Sequence, residues 1–318
     1  MIEYELTADD LADTRFAISP IQELVCSLWA LRDPGRYALH LPWRRAALAA
    51  LGEADTRLLL ALVGRRRGIP DFLTPRPETF APRIADQLDQ VRRVPPERAE
   101  NDLVATHAQG GDRVPEPLRG ITAAGLADLL ERYWSVAMAA DWPRMRLVLE
   151  ADTTYRARRS AVGGARLLFA DLHPNVSWND GVLRIDRMIG DHRITPAGRS
   201  LLLLPSIFAY KPVPPMSPHD PPWLAYPARG IAGLWSPIEP PQRGALAALI
   251  GAPKARLLAL LAEPLPTIEL ARRLRVTPGA ISQHLRTLYE SGLLTRTRDG
   301  RQVRYGRSDL GDRLVDGG

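Results

Sequence analysis

Apolar residues recur at helical spacing through the first half of the chain. After Ser19-Pro20, a capping residue followed by a proline, Ile21, Leu24, Val25, Leu28 and Leu31 form one stripe and predict a helix. Residues 44–63, rich in alanine and leucine, predict one interrupted helix or two. Residues 80–93 and 126–140 are further amphipathic stretches. Asp141 precedes Trp142-Pro143 and reads as the N-cap of a helix running to Ser160, which Gly163-Gly164 stops. The texture then changes. Residues 166–171, 182–186 and 200–210 are short apolar runs bounded by turn residues, and Asn179-Asp180-Gly181 between two of them predicts a hairpin. Together they predict a small antiparallel sheet.

Seven prolines (Pro212, Pro214, Pro215, Pro218, Pro221, Pro222 and Pro227) follow, a density that no helix or central strand tolerates. The segment is either a linker or an extended arm packed on the body; Met216, Trp223 and Tyr226 favour the arm. Pro237 and Pro240-Pro241 then punctuate the chain before the helical pattern resumes. Residues 242–250 and 254–262 are apolar-faced helices separated by Gly251-Ala252-Pro253. Thr267 reads as the cap of a helix holding Ile268, Leu270, Ala271 and Leu274. Arg275-Val276 is a turn, and Thr277 caps the next helix with Pro278 in its first position. There Ile281, Leu285 and Leu288 make an inward stripe, leaving Gly279, Ser282, Gln283 and Arg286 on the opposite face. Ser291-Gly292 closes it. Residues 294–298 and 301–307 flank Asp299-Gly300, a strong two-residue hairpin signal. The predicted fold is mainly α (α+β): a helical N-terminal domain with a small antiparallel β section over 1–235, then a C-terminal winged helix-turn-helix over 241–318.

Charge sharpens this picture. Nine arginines lie between Ala271 and Arg307 against Glu290 and Asp299, in a chain whose net charge is +6, so the remainder is close to neutral. Basicity concentrated in one module is the footprint of a polyanion partner. The outward face of the second helix has the chemistry for duplex DNA. Gln283 can bond bidentately to adenine, Ser282 can bond either kind of base, and Arg286 reads guanine or grips phosphate. Gly279 lets the helix N-terminus approach the backbone, where free N–H groups favour a phosphate oxygen. Arg296, Arg298, Arg301, Arg304 and Arg307 arm the hairpin, although strand alternation keeps them from all pointing one way.

Ser282-Gln283-His284-Leu285, Leu288, Gly292-Leu293-Leu294 and Asp299-Gly300-Arg301, followed by Val303 and Tyr305, resemble the ArsR/SmtB-like winged-helix repressors. The resemblance covers roughly the last quarter of the chain. It implies a dimer on a near-palindromic operator, with repression relieved by an effector, and it places Gly279, Ser282 and Gln283 at base edges. Pro278 and Gly279 replace polar residues common in that family. Metal sensing does not carry over, because the helix from Ile268 has no cysteine pair and the tail from Ser308 has no histidine. The long N-terminal region, through Thr14-Arg15-Phe16 and residues 142–168, resembles the extended actinobacterial-type regulators that carry a domain of unknown role ahead of the winged helix.

Other residues have blander readings. His284 beside the apolar stripe reads as structural. Asp171/His173, Asp191/His192 and His219/Asp220 lack ligand spacing, and Cys26, the only cysteine, sits on the apolar side of its helix, so no metal or cofactor site is expected. The seven tryptophans (Trp29, Trp43, Trp134, Trp142, Trp178, Trp223 and Trp235) either line an effector pocket or pack a core. Arg156, Arg158 and Arg159 extend the DNA contact, bind an anion or form a solvated helix face, and Arg65-Arg66-Arg67 between glycines reads as a solvated loop. The acidic N-terminus is no secretory signal and the longest apolar runs are too short to span a bilayer, so a cytoplasmic location with no membrane partner is expected.

The expected function is that of a sequence-specific transcription regulator, a homodimeric repressor that does not sense metal. Its partners are double-stranded DNA, a second copy of itself and an unidentified small-molecule effector. Its DNA-binding residues are Thr277, Gly279, Ser282, Gln283, Arg286, Arg298, Arg301 and Arg304. The rival reading is an enzyme with its active site in 1–235 and the winged helix used for protein contacts. Nucleotide-binding, hydrolase and zinc-protease motifs do not occur in the sequence.

Overall fold

A computed structural model of the chain describes residues 1–188, 190–196, 198–215, 221–235, 245–299 and 302–316. The chain divides into two compact units, Met1–Ser236 and Pro237–Gly318.

The first unit holds helices α1 (Ala8–Ala12), α2 (Pro20–Arg32), α3 (Leu41–Ala50), α4 (Glu53–Ala61), α5 (Ile84–Arg92), α6 (Pro96–Ala108), α7 (Ala123–Ala137) and α8 (Trp142–Phe169). Its strands are β1 (Ile2–Glu5), β2 (Arg15–Phe16), β3 (Val176–Asn179), β4 (Val182–Ile185), β5 (His192–Ile194), β6 (Leu202–Ser206) and β7 (Trp223–Pro227). The Ser19 hydroxyl accepts from the Gln22 amide and starts α2, which is buried without interruption from Pro20 to Leu28. Around it α4, α5, α7 and the first half of α8 close one apolar core. A second core forms where Ile2, Tyr4, Leu183, Ile194, Leu203 and Tyr226 meet Phe169.

The Asn179-Asp180-Gly181 hairpin is present, joining β3 to β4, and β1 adds antiparallel to β4. Parallel pairings extend this section: β5 lies beside β1, and β2, β6 and β7 make a separate parallel sheet. The apolar run at 166–171 belongs to a helix rather than a strand. At Gly163 and Gly164, with φ −144° and +57°, α8 breaks without ending and then resumes to Phe169. A Cβ at Gly163 would collide with the Leu167 side chain. Asp141 occupies the N-cap position, but its side chain makes no capping bond. The proline-dense segment is a packed arm in its described part: β7 takes the outer place in its sheet with Pro227 as its last residue, opposite Ser206, and Val213 bridges to Ala225. Met216, Pro218 and His219 lie outside the described residues.

The second unit holds α9 (Ala245–Ile250), α10 (Ala252–Leu260), β8 (Leu265–Pro266), α11 (Thr267–Leu274), α12 (Pro278–Glu290), β9 (Leu294–Asp299), β10 (Gln302–Arg307) and α13 (Asp309–Asp316). Its core is Leu257, Leu258, Leu261, Leu270, Ile281, Leu285, Leu288 and Leu294. The sheet order is β8-β10-β9. Among the described residues no helix is long and apolar enough to cross a membrane.

The two cores of the first unit are joined by buried charge. Arg156 is fully buried on α8, not part of a solvated face. Its guanidinium pairs with Asp152 at 3.2 Å and with Asp171 at 2.9 Å, and lies 4.8 Å from the centre of the Tyr226 ring. The Tyr226 hydroxyl and the Arg229 amide donate to Asp152, and the Tyr155 hydroxyl donates to Asp171. Burial acts to raise the Asp171 carboxyl, but Tyr155 and Arg156 outweigh it and hold that group below its ordinary value. By contrast Arg158 is exposed. Replacing Arg156 by methionine strands a buried carboxylate and should cost about 3–5 kcal/mol; Arg158→Ala should stay within about 0.5 kcal/mol. All seven tryptophans precede Ser236, so urea unfolding followed by tryptophan fluorescence reads the first unit alone. Equal midpoints for the two variants would overturn this account.

Glu23, also fully buried on α2, accepts from the Ile207 amide at 2.8 Å and anchors the end of β6. Burial pushes its carboxyl up to about 7, against the opposing bonds from Ser206, Ile207 and Phe208. A group raised from 4.5 to about 7 binds its proton more tightly in the folded state. Its contribution is therefore full below pH 4.5 and lost as pH rises through about 7. Relative to Glu23→Gln, the wild type should lose roughly 1–3 kcal/mol of first-unit stability between pH 5 and pH 8. Parallel pH profiles of the two proteins would refute it.

Candidate nucleic-acid interface

Two helices and a hairpin position the candidate residues. Thr267 is the first residue of α11, and Pro266 takes the N-cap place without a side-chain bond, so the expected threonine cap is absent there. Arg275 ends α11 in the left-handed region at φ 54°, and the Val276 amide closes the turn on Ala271 at 3.1 Å. Thr277 does cap α12: its hydroxyl accepts from the Ala280 amide, with Pro278 at the first helical position. Ile281, Leu285 and Leu288 bury the inner stripe. That leaves Gly279, Ser282, Gln283 and Arg286 together on the exposed face, as their spacing predicts.

Their bonding states differ. The Ser282 hydroxyl donates to the Pro278 carbonyl at 2.9 Å and keeps its lone pairs outward. Arg286 pairs with Glu290 at 3.0 Å with both side chains well exposed, an association worth only a few tenths of a kcal/mol. Among the described residues the Gln283 amide has no partner and is free to bond outward. Gly279 has open space where a Cβ would stand. His284 is half-buried beside the stripe.

On α11 the charge is largely spent. Glu269 accepts from Arg272 and from Arg273, each at 2.7 Å, and these two bonds hold its carboxyl down to about 2. The hairpin register pairs Arg298 with Val303, Arg296 with Tyr305 and Arg304 with Thr297. Opposite residues share a face. Arg296 and Arg298 therefore lie on the face that carries Leu294 and Tyr305 toward the core, and Arg304 lies on the other. The Arg296 guanidinium sits 4.6 Å over the Tyr289 ring at the end of α12, and Arg307 pairs with Asp312 of α13 at the hairpin base. Arg298 and Arg304 are exposed. Gly300 and Arg301, the expected turn and one expected phosphate contact, lie outside the described residues.

A short, amphipathic helix pair with an outward polar face and an adjoining arginine hairpin is the layout of a winged helix-turn-helix. Residues 256–296 match the family model of the bacterial regulatory protein, arsR family. The matched segment takes in most of α10, all of α11 and α12, and the first part of β9; this region is an ArsR-like helix-turn-helix. Residues 1–255 lie outside the match. No curated protein matches the chain. Sequence pattern missed α13, whose Gly311 packs so closely on the Leu293 carbonyl that a Cβ there would clash. Its signal was Ser308 ahead of Asp309, a capping residue before an acidic first turn.

Because nothing occupies the space beside Gly279, the fold does not require glycine there. Gly279→Ala should leave the unfolding of the second unit unchanged or raise its stability by up to about 1 kcal/mol. If the helix N-terminus approaches a phosphate, the same variant should bind duplex DNA more weakly. Circular dichroism melting together with anisotropy titration separates the two effects, and undiminished DNA affinity would remove Gly279 from the interface.

Proposed function

We propose that the protein is a sequence-specific DNA-binding transcription regulator that acts as a homodimeric repressor and does not sense metal. The observation that carries the reading is the exposed face of α12, where the unpartnered Gln283 amide stands between Ser282 and Arg286 within the ArsR-like segment. In this reading α12 enters the major groove, Gln283 and Ser282 meet base edges, and Thr277, Gly279, Arg298, Arg301 and Arg304 meet the sugar–phosphate backbone. Leu249 on α9 and Leu310 on α13 are exposed at 74% and 47% and support pairing with a second copy through the first and last helices of the unit. The lack of cysteine in α11 and of histidine after Ser308 supports a regulator without the metal sites that some members of the family it resembles hold at those positions. The first unit then senses an effector, contributes to dimerisation, or does both.

Base contacts and phosphate contacts predict different phenotypes. With duplexes selected from a random pool by the purified full-length protein, Gln283→Ala should relax preference at one base pair per half-site by about 1–3 kcal/mol. Arg304→Ala should weaken all sequences alike and make the salt slope shallower by about 1. Wild-type affinity should fall roughly 10³–10⁵-fold between 50 and 200 mM salt if 6–10 phosphates are contacted. Fluorescence anisotropy reads all three. A flat salt response, or equal binding by both variants and the wild type, would refute the interface.

A further inference from the structure

The Arg65-Arg66-Arg67 loop keeps Arg65 and Arg66 exposed, as expected of a solvated loop. It borders a cleft of about 1090 Å³ within the first unit, whose other walls are the Tyr210–Pro215 stretch and the segment around Arg187 and His192. Among the described residues six side chains carrying positive charge line it: Arg36, Arg65, Arg66, Arg67, Arg187 and Lys211. Among the described residues no aspartate or glutamate does. One carboxylate nearby, Asp33, pairs with Arg67 at 2.7 Å and with Arg36 at 3.6 Å. Arg65, Arg66, Arg187 and Lys211 have no carboxylate partner among the described residues. Gathering like charges around a concavity costs electrostatic energy in the empty protein, and that energy is returned when an anion binds.

The cleft is braced rather than loose. Arg67 is held at φ 66°, a conformation that side chains disfavour. The Trp29 indole donates to its carbonyl at 2.8 Å, and the Gly64 amide donates to the Gly68 carbonyl at 2.8 Å, so the loop is tied at both ends. A Cβ on Gly64 would stand 2.8 Å from the Thr106 carbonyl, so the loop is also pressed against α6. Across the cleft Arg187 is likewise left-handed, at φ 58°. Two walls of the cavity thus each carry an arginine whose backbone is set in the left-handed region by its loop. Trp29, Met188, Tyr210, Val213 and Pro215 give the lining an apolar and aromatic part, beside the polar Gln109, His173, Asn175 and His192. Small-molecule sites of about 300–1,000 Å³ combine such walls with a few convergent polar groups.

We propose that this cleft binds a small organic anion, a molecule with an apolar or planar body and one or more carboxylate, sulfonate or phosphate groups. The arginines on the 64–68 loop and Lys211 take the charge, while Trp29, Met188 and Tyr210 take the body. Binding here is a property of the first unit and does not depend on the DNA-binding reading; if that reading holds, this is the pocket in which the regulator meets its effector.

The test uses two probes of one shape. 8-Anilinonaphthalene-1-sulfonate carries the anion, and N-phenyl-1-naphthylamine lacks it. The folded full-length protein should bind the sulfonate at least about tenfold more tightly in fluorescence titrations, a difference of about 1.4 kcal/mol. The double variant Arg66→Glu/Lys211→Glu should lose that preference while keeping its circular dichroism spectrum, and the exposed Arg158→Glu, which lies off the cleft, should retain it. Equal affinity for the two probes, no binding by either, or a preference that survives the double charge reversal overturns the proposal. Since no DNA is present in the experiment, failure here leaves the winged-helix reading untouched, and failure of that reading leaves this one standing.

Discussion

The first unit depends on a guanidinium taken fully out of water. Arg156 sits where α8 passes from one core into the other: Met145 and Leu149 pack among the helices, whereas Leu168 and Phe169 pack under the strands. Burying a charge there is tolerable only because Asp152, Asp171 and the Tyr226 ring surround it. Those partners come from α8 before its break, from the turn after it, and from β7. The helix must therefore fold back at Gly163-Gly164 to bring Asp171 within reach, so the break and the ion pairs specify each other. A uniform helix would carry Asp171 four turns away along its axis.

Glu23 performs a related joining role with the opposite electrostatic consequence. Among the described residues it has no cationic partner, and it receives hydrogen bonds from the turn that ends β6. Arg156 keeps its neighbouring carboxyl group Asp171 ionised, whereas burial drives Glu23 toward its neutral form. Both residues fix the strand layer to the helix layer. The first unit thus stakes its architecture on two polar junctions, while the second is held by a small apolar core with its charge at the rim. Such junctions specify how layers dock more sharply than apolar contacts, because a displaced carboxylate loses bonds that no neighbour restores.

What the sequence made legible follows from the range of the interactions concerned. The α2 stripe, the Thr277-Pro278 start and the Asn179-Asp180-Gly181 turn are local, and each stands where its residues indicate. The pairing of Ile2 with Ile185 and of Leu202 with Trp223 is non-local and leaves no periodic trace. Short apolar runs do not distinguish strand from helix, which is why 166–171 read as sheet. Arg156 was hidden for another reason: in Arg156-Ala157-Arg158-Arg159 a buried cation and an exposed one are spelled alike. The same limit separates the two candidate sites. The face of α12 is one helix and could be read from spacing. The cations of the cleft come from separate segments and become a site only when the chain folds.

The residues on α12 also bear on how the proposed regulator would discriminate. Ser282 is bonded back to its own helix, Arg286 is shared with Glu290, and Gly279 offers only backbone. Gln283 is thus the side chain with its full bidentate capacity still available. One such contact separates base pairs by about 1–3 kcal/mol, well short of the roughly 4–10 kcal/mol between specific and non-specific binding. A single copy therefore falls short on base contacts alone. Two copies on a two-fold site double the number of such contacts, and the hairpin, with Arg298 and Arg304 on opposite faces, adds grip without adding sequence preference. Sparse base-reading chemistry on α12 is in this way an argument for the dimer, one that rests on hydrogen-bond capacity and not on the family resemblance.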